Sequence, residues 1–254
     1  MSADGKPIQV WELPVLETDP CLNEWANRFR QHYCLDTEID DLRDGTELSR
    51  SEYLIQLVFP DKTSPPGPAV RSGDFAELLI SDYVEYRLGF WVPRSKYAEK
   101  ASRNESVKGV DILGFKLVER GKELPMDTLL TFEVKAQLAG GKYQNRLQTA
   151  IDDSAKDYLR AAYTLNATKR RLLTAKNQEG AAVVRRFQNI ADRPYVFTSG
   201  AAAVLSDESY DEIALQTTSA ATHTNAATLE LLVVRGTQLM NLVHALYEKA
   251  ANEA

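Results

Sequence analysis

The chain has 254 residues, enough for one large domain or two small ones, and its 44% hydrophobic and 26% charged residues are ordinary for a globular protein. Its net charge of −6 argues against a protein that grips nucleic acid unaided. No run approaches the roughly 20 apolar residues that span a bilayer. The N-terminus also lacks the features of a signal peptide, so we expect a cytoplasmic protein without a membrane partner.

The first 60 residues form an acidic region, with 12 Asp and Glu against 5 Lys and Arg. Aromatic residues recur at helical spacing from Trp25 to Tyr33, which predicts a helix. The apolar run from Glu52 to Phe59 predicts a strand. Three prolines and a glycine between Asp61 and Pro68 predict a loop. We therefore expect an N-terminal α/β extension over residues 1–60 and a second domain over 61–254.

A helix and two strands follow the loop. The helix is predicted from Phe75 to Leu88, with Asp74 as its N-terminal cap and a glycine as its stop. Phe90 to Val92 predicts a short strand, and Val110 to Glu119 predicts a longer one. The polar segment 94–108 between these two strands is rich in lysine and arginine.

The next strand, predicted from Leu129 to Leu138, carries a period-two pattern. Thr131, Glu133, Lys135 and Gln137 alternate with apolar residues, so they share one face of the strand. An acid and a base two residues apart on such a face lie about 6.5–7 Å apart along the strand. A carboxylate there is able to hold a divalent metal beside an ammonium that meets a phosphate or a nucleophilic water.

The C-terminal part alternates helices and strands. A helical pattern runs from Arg146 to Gln178, as one long helix or two consecutive ones. Tyr195 to Val204 and Thr228 to Arg235 predict strands, and Thr237 to Lys249 predicts an amphipathic closing helix. This order of elements predicts an α/β fold with a mixed central sheet.

Two further carboxylates precede the patterned strand. Asp111 begins the strand before it, and Glu77 lies in the helix before that. Phosphodiester cleavage needs neutralised phosphate oxygens, an activated water and a stabilised leaving group, and one or two Mg²⁺ ions held by carboxylates supply all three. The order therefore predicts a metal site of Glu77, Asp111 and Glu133. Lys135 would orient or help to deprotonate the water, or balance charge, while Gln137 would position water or phosphate.

Each of these residues also has a simpler interpretation. Glu133 and Lys135 are alternatively exposed charges on a half-solvated strand, which contribute little to stability. Asp111 follows a Gly-Val pair and fits a turn equally well. Glu77, three residues after Asp74, fits the final position of a helix capping box. The three acids in this order on these elements are more specific than any one of them alone.

The motif resembles that of the PD-(D/E)xK nuclease superfamily. Val110-Asp111 stands in place of Pro-Asp, and Glu133-Val134-Lys135 follows 22 positions after Asp111. Over about residues 50–250 the chain more narrowly resembles the HamA family, the nuclease subunits of the Hachiman anti-phage defence system. The stretches that carry this likeness are Ser72–Glu77, Pro93–Tyr97, Lys108–Phe115 and Phe132–Gln137.

The resemblance implies both a fold and an activity. The implied fold is a restriction-endonuclease-like core, with a helix, a mixed central sheet of about five strands and flanking helices. The implied activity is DNA cleavage that depends on Mg²⁺ or Mn²⁺, with Glu77, Asp111 and Glu133 as metal ligands and Lys135 and Gln137 as further catalytic residues. The implied partner is a HamB-like helicase that engages DNA and releases the nuclease.

Basic residues near the predicted site are candidates for contacts with the DNA backbone. They are Arg94, Lys96, Lys108, Lys156 and Arg160. Lys156 and Arg160 follow the patterned strand on a predicted helix. Their alternative is a solvated helix face on which Asp153 and Asp157 supply ion-pair partners.

Two other functions stay open at this stage. A freestanding restriction-type endonuclease would cut DNA at a specific sequence without a partner. A catalytically inactive scaffold subunit would keep the fold and bind nucleic acid without cleaving it. The negative charge of the whole chain favours a subunit to which a partner presents the DNA.

Overall fold

The computed structural model describes residues 1–253 as a five-stranded central sheet with helices on both faces. The strands are β1 (Ile8–Glu12), β2 (Ile112–Lys116), β3 (Thr128–Gln137), β4 (Val196–Ser206) and β5 (Glu230–Gly236). Their spatial order is β1-β5-β4-β3-β2. β2 runs antiparallel to β3, and the other neighbouring pairs are parallel. This mixed sheet confirms the predicted fold class and is consistent with a restriction-endonuclease-like core.

The helices lie between the strands in chain order. They are α1 (Leu22–Gln31), α2 (Ile39–Arg43), α3 (Arg50–Tyr53), α4 (Gly67–Asp82), α5 (Arg146–Ser154), α6 (Asp157–Thr174), α7 (Gln178–Arg186), α8 (Glu212–Gln216) and α9 (Leu239–Asn252). The π-helical turns Leu54–Val58 and Tyr83–Arg87 continue α3 and α4. Within residues 1–253, none of these helices has the length and apolar character that crossing a bilayer requires.

The two faces of β3 pack against different helices. Leu130, Phe132 and Val134 join a core with residues of α1, α4 and α9. The alternate positions face the other side, where α5, α6 and α7 cover the sheet. Thr131 and Glu133 are buried on that side, 0% and 3% exposed. The period-two pattern is thus confirmed, but the polar face is covered by helices instead of being half-solvated.

The N-terminal region shares both the sheet and the core of the rest of the chain. β1 pairs in parallel with β5 at the edge of the sheet. α1 packs on α9, where the rings of Phe29 and Tyr247 meet edge to face at 4.8 Å. The proposed division at residue 60 stays a prediction.

The strand predicted from Glu52 to Phe59 is wrong, because that segment is helical. Ser49 accepts a hydrogen bond from the backbone N–H of Glu52, and the Glu52 carboxylate accepts one from the backbone N–H of Ser49. This reciprocal capping box starts α3. The apolar run then continues the helix as a π-helical turn.

The helix that carries Glu77 begins eight residues earlier than predicted. α4 starts at Gly67, directly after Pro66, and Pro68 lies in its first turn, where proline is tolerated because the N–H it lacks would have no partner there. Asp74 is therefore a buried residue of the helix interior, and its predicted role as N-cap is wrong. Glu77 is therefore not the final residue of a capping box that begins at Asp74.

The other predicted elements are present with shifted bounds, whereas β1, α2 and α8 were not predicted. Phe90 to Val92 is reduced to an isolated bridge between Trp91 and Phe115, and β2 is shorter than the strand predicted from Val110. The predicted helical segment from Arg146 is divided between α5 and α6, and α7 begins at Gln178. β4, β5 and α9 are confirmed.

Candidate active site

The pairing of β2 with β3 brings Asp111 next to Glu133. Ile112 lies opposite Phe132 in the antiparallel register, so the residue before Ile112 faces the residue after Phe132. The Oδ2 atom of Asp111 accepts a hydrogen bond from the backbone N–H of Val134 at 2.9 Å. The Asp111 carboxylate is thereby fixed between the side chains of the Glu-x-Lys motif.

α4 supplies Glu77 to the same region, together with a lysine from the segment that follows α4. The Nζ atom of Lys96 pairs with the Glu77 carboxylate and donates to the backbone carbonyl of Asp111 at 2.7 Å. The Tyr97 hydroxyl donates to Oε2 of Glu77 at 3.1 Å. Glu77 is therefore held by Lys96 and Tyr97, and Lys96 links it to the backbone of Asp111.

Two other acids, Glu77 and Glu133, act on the Asp111 carboxyl. Burial, followed by the charges of Glu77 and Glu133, raises the pKa of the Asp111 carboxyl well above its ordinary value, and the Lys96 ammonium offsets only part of this. Burial works against the charge of Lys96, but Glu77 and Asp111 raise the pKa of its ammonium overall. Lys96 thus carries a positive charge between two acids.

The Glu-x-Lys pair forms a second ion-paired group. Nζ of Lys135 lies 2.7 Å from Oε1 of Glu133 and 3.0 Å from Oδ2 of Asp153. Although burial opposes its charge, the hydrogen bond with Glu133 raises the pKa of Lys135. Lys135 is therefore an ammonium that donates hydrogen bonds and balances charge. The interpretation of Glu133 as a solvated strand charge is wrong, because that residue is buried.

The N-terminus of α6 adds a carboxylate that the sequence analysis placed on a solvated helix face. Asp157 is 0% exposed, and neither of its carboxylate oxygens has a hydrogen-bond partner among residues 1–253. Burial, followed by the charge of Glu133, raises its pKa to about 8. Arg160 lies nearby, with Nη1 at 3.8 Å from Oε2 of Glu133 and 3.7 Å from Oδ1 of Asp157.

Gln137 ends the polar face of β3 and holds the chain as it leaves the strand. Its Nε2 donates to the carbonyl of Lys142 at 2.9 Å, and its Oε1 accepts from the backbone N–H of Gln144 at 3.0 Å. Both ends of this amide bind the β3–α5 connection. The predicted role of Gln137 in positioning water stays a prediction.

The five predicted DNA-contact residues have different surroundings. Arg94 is 11% exposed and pairs with Asp82 at 2.8 Å and Glu85 at 2.6 Å, and Lys96 is engaged with Glu77. These two cations are already committed to carboxylates of the chain. Lys108 and Lys156 are exposed, and the side chain of Arg160 is 36% exposed beside Glu133. The cations that face solvent near the site are therefore the last three.

The segment 93–108 lies beside α4 and borders the crevice at Asp111. Lys100 pairs with Asp74, and Arg103 pairs with Asp61 at 2.8 Å, so ion pairs hold this segment in addition to the contact of Lys96 with Glu77. The crevice beside Asp111 has a volume of about 30 Å³. A groove of about 480 Å³ lies elsewhere, between α1 and α4. The crevice at Asp111 is therefore narrow, and three ion pairs fix the segment that borders it.

The residues of the site fit a divalent cation in charge and donor type. Carboxylate oxygens are the ligands that Mg²⁺ and Mn²⁺ prefer, and Oε2 of Glu133 is a buried oxygen without a hydrogen-bond partner among residues 1–253. In that same part of the chain, no three His, Cys, Asp or Glu side chains already stand together as a ready ligand set. Lys96 and Lys135 lie against the acids, so ligation requires the two lysines to shift.

Sequence reasoning missed the roles of two residues here. Lys96 was predicted to contact DNA, and nothing in its sequence context points to an internal pair with Glu77. Asp157 gives a clearer signal, because it falls on the same helical stripe as the buried Ala161 and Leu165. A carboxylate on an apolar stripe is a candidate for a buried function.

The chain was compared with known protein families, curated proteins and solved structures. A protein-family model described as HamA matches residues 2–250, nearly the whole chain. No curated protein and no solved structure shows significant similarity to the sequence.

Proposed function

The chain belongs to the HamA family, and from that premise we propose that it is the metal-dependent DNA nuclease of a Hachiman anti-phage defence complex, controlled by a partner helicase. Family membership supports a role as a subunit of that defence system. The nuclease activity, the metal and the helicase belong to the proposal.

One observation carries the catalytic part of the proposal. Asp111 faces Glu133 across neighbouring strands, and its carboxylate is fixed by the backbone N–H that lies between Glu133 and Lys135. Two acids and an ammonium thus converge from residues far apart in the sequence. Their surroundings are buried, so the charges act through a medium in which electrostatic interactions are stronger than in water.

Asp111 and Glu133 would hold the cation, and Glu77 would complete its ligand set. A bound Mg²⁺ or Mn²⁺ supplies Lewis-acid polarisation of the phosphate and a water of lowered pKa. Lys135 donates hydrogen bonds, so it orients the water and balances charge on the phosphate. The hydrogen bond with Glu133 raises the pKa of Lys135, which favours its ammonium form in these surroundings.

A partner that delivers the DNA is consistent with the charges of the chain. The net charge is −6, and Arg94 and Lys96, two of the five predicted DNA-contact residues, are engaged with acids of the protein itself. Non-specific affinity for DNA rises with the number of phosphates that Lys and Arg neutralise. A HamB-like helicase that holds the DNA would supply the DNA affinity that this surface lacks.

A plasmid cleavage assay with Mg²⁺, with and without the ATP-driven helicase, tests the proposal. Asp111→Asn and Lys135→Met each remove one charge from the site, and we expect both to lower the cleavage rate by at least about 100-fold. Lys122→Met is the matched control, because Lys122 is 61% exposed and pairs only with Glu119 in a surface turn. It should cleave at the wild-type rate.

The other candidate functions give different results in the same assay. Sequence-specific cutting by the chain alone would identify a freestanding restriction-type endonuclease. DNA binding without cleavage, with or without the helicase, would identify an inactive scaffold. Unchanged cleavage by both site variants would place the chemistry elsewhere in the protein.

A further inference from the structure

One side of α6 carries a row of cations around a tyrosine. Lys156, Arg160, Tyr163 and Arg170 follow one another at intervals of four, three and seven residues, and such intervals place side chains on one face of a helix. These four residues form the α6 stripe. The buried residues of α6 lie on a different side of the helix, where they pack against the body of the protein.

The α6 stripe is a basic part of an acidic chain. Residues 156–174 contain five Lys and Arg and a single acid, Asp157, whereas the whole chain has a net charge of −6. Asp157 is 0% exposed and does not face the solvent. Arg170 is exposed, the side chain of Lys156 is 57% exposed, and that of Arg160 is 36% exposed. A surface of this kind attracts a polyanion.

Tyr163 lies in the middle of the α6 stripe and extends into solvent. It is 83% exposed, and Leu159, one turn before it, is 61% exposed. A single exposed tyrosine is ordinary on a protein surface. Aromatic rings placed among cations are different, because proteins bind single-stranded nucleic acid with this combination. The rings stack on the bases, and the cations follow the phosphates.

The α6 stripe lies beside the candidate active site. Nη1 of Arg160 is 3.8 Å from Oε2 of Glu133, and Tyr163 is about one helical turn further along α6. Thr164, the residue after Tyr163, lines the crevice at Asp111. A DNA strand that reaches Asp111 and Glu133 therefore has a neighbouring nucleotide close to the tyrosine ring.

We propose that the α6 stripe binds single-stranded DNA, with an unpaired base stacked on the ring of Tyr163. Lys156, Arg160 and Arg170 contact the phosphates of the same strand. This inference rests on the proposed function, because it names the form of DNA that the nuclease takes. The bases of a duplex are already stacked and paired, so a ring on the convex surface of a helix meets a base face only where the strands have separated. A helicase supplies strands of that form.

A protein partner would also cover the apolar side chains of Leu159 and Tyr163. The cores of protein interfaces are depleted of lysine and of charged residues in general. Cations precede and follow Tyr163 along the α6 stripe, with Arg160 one turn before it and Arg170 two turns after it. The charge therefore favours DNA as the occupant.

Fluorescence anisotropy of the full chain in EDTA tests this inference in the absence of cleavage. The probes are a labelled oligothymidylate, an abasic strand with the same number of phosphates, and a duplex of the same length. The variants are Tyr163→Ala and Tyr163→Phe, which keeps the ring. The matched control is Tyr86→Ala, because Tyr86 is 65% exposed and borders the groove between α1 and α4.

We expect Tyr163→Ala to bind oligothymidylate at least about fivefold more weakly than the wild type, because stacking on one base is lost. Its affinity for the abasic strand and for the duplex should be unchanged. Tyr163→Phe and Tyr86→Ala should match the wild type with all three probes. The melting temperature of Tyr163→Ala should also be unchanged, because the removed ring is exposed.

Other results overturn the inference in distinguishable ways. A wild-type chain that does not bind oligothymidylate, or a Tyr163→Ala variant that binds it with wild-type affinity, would remove Tyr163 from the DNA surface. An equal loss with the abasic strand or the duplex would show that the ring does not stack on an unpaired base. Loss of helicase binding by Tyr163→Ala, with DNA binding unchanged, would assign the α6 stripe to a protein interface.

The proposed function is tested separately, by plasmid cleavage with Mg²⁺. A chain that binds the three probes as expected but cleaves no DNA would refute the nuclease and leave the α6 stripe as a DNA-binding surface. A chain that cleaves DNA while Tyr163→Ala binds oligothymidylate as the wild type does would refute the base-stacking role alone.

Discussion

The two sides of the site treat their acids differently. On the α4 side, Glu77 pairs with Lys96 and accepts a hydrogen bond from Tyr97, while Asp111 accepts one from the backbone of Val134. On the α6 side, Oε2 of Glu133 and both oxygens of Asp157 have no such partner among residues 1–253. The acids on the α4 side thus form hydrogen bonds, whereas Arg160 approaches these three oxygens on the α6 side only to 3.7–3.8 Å.

This difference implies that the acids on the two sides contribute differently to the stability of the fold. A buried acid with an internal cation stabilises the fold only while that cation stays in place. A buried carboxylate oxygen that accepts no hydrogen bond destabilises the fold through its desolvation cost. Removing the charge of Lys96 on the α4 side should therefore lower the free energy of unfolding, whereas removing the charge of Asp157 on the α6 side should raise it.

The largest effect is expected at Lys96. Lys96→Met removes the ammonium that lies between Glu77 and Asp111 and leaves both half-buried acids without it. Because loss of one partner strands a buried charge, the free energy of unfolding should fall by about 3 kcal/mol, measured by urea denaturation at neutral pH. Lys108→Met is the control, since that exposed lysine has no ion pair within residues 1–253. Equal stability of the two variants would refute a compensated α4 side.

A smaller effect of opposite sign is expected at Asp157. Its pKa is raised from 3.8 to about 8, so the unfolded chain releases this proton near pH 4 and the folded chain near pH 8. Between these values the folded state binds more protons, and the contribution of Asp157 to wild-type stability falls as the pH rises. Asn cannot titrate and removes this slope. Asp157→Asn should match the wild type near pH 4 and exceed it by about 1–3 kcal/mol at pH 8 in EDTA.

Urea denaturation of both proteins at pH 4.5 and 8 measures that difference directly. A variant that is less stable than the wild type at pH 8 would show that Asp157 is stabilised by a contact of the fold. The comparison between the two sides of the site would then lose its basis.

The smallest effect on stability is expected at Lys156, on the rim of the α6 side. Lys156 is 57% exposed and pairs with Asp153 at the surface. Exposed pairs contribute about 0–1 kcal/mol, so Lys156→Ala should leave the unfolding transition almost unchanged. If the exposed cations of this side contact phosphates, the slope of log affinity against log salt should decrease by about one in a DNA-binding assay. An unchanged slope would remove Lys156 from the DNA surface.

The catalytic strand was predictable because its pattern is local and repeated. The alternation along β3 sets the strand, its two faces and the Glu-x-Lys spacing, and the structure confirms all three. The contact of Asp111 with this motif follows from pairing neighbouring strands in the antiparallel register. Short-range rules of this kind survive tertiary packing well.

Two elements were mispredicted because a competing local signal was overlooked. Ser49 and Glu52 form a capping box, which outweighs the strand-like composition of the run that follows. The prolines Pro66 and Pro68 favour a loop in the sequence, but proline is also common at the start of a helix, and α4 begins there. Both errors concern where a helix begins, and the second one changes how Asp74 and Glu77 are interpreted.

The helical ion pairs of Lys156 with Asp153 and of Arg160 with Asp157 were predicted from their spacing, but the long-range partners of charged residues were not. Lys96 reaches Glu77 from 19 positions along the chain, and Asp157 meets Glu133 only because α6 packs over the polar face of β3. Such contacts depend on the relative placement of elements and leave no periodic trace in the sequence. For the same reason, Arg94 appeared free to bind DNA and is in fact paired with two acids.

Cleavage of plasmid DNA by Glu133→Gln tests the central claim most directly. Glu133 is the residue on which both sides of the site depend, and glutamine keeps its size while removing its charge. With Mg²⁺ and the helicase present, we expect the variant to fold, to bind DNA as the wild type does, and to cleave at least about 1,000-fold more slowly. Cleavage by Glu133→Gln at the wild-type rate would show that the Glu-x-Lys motif is not the catalytic site.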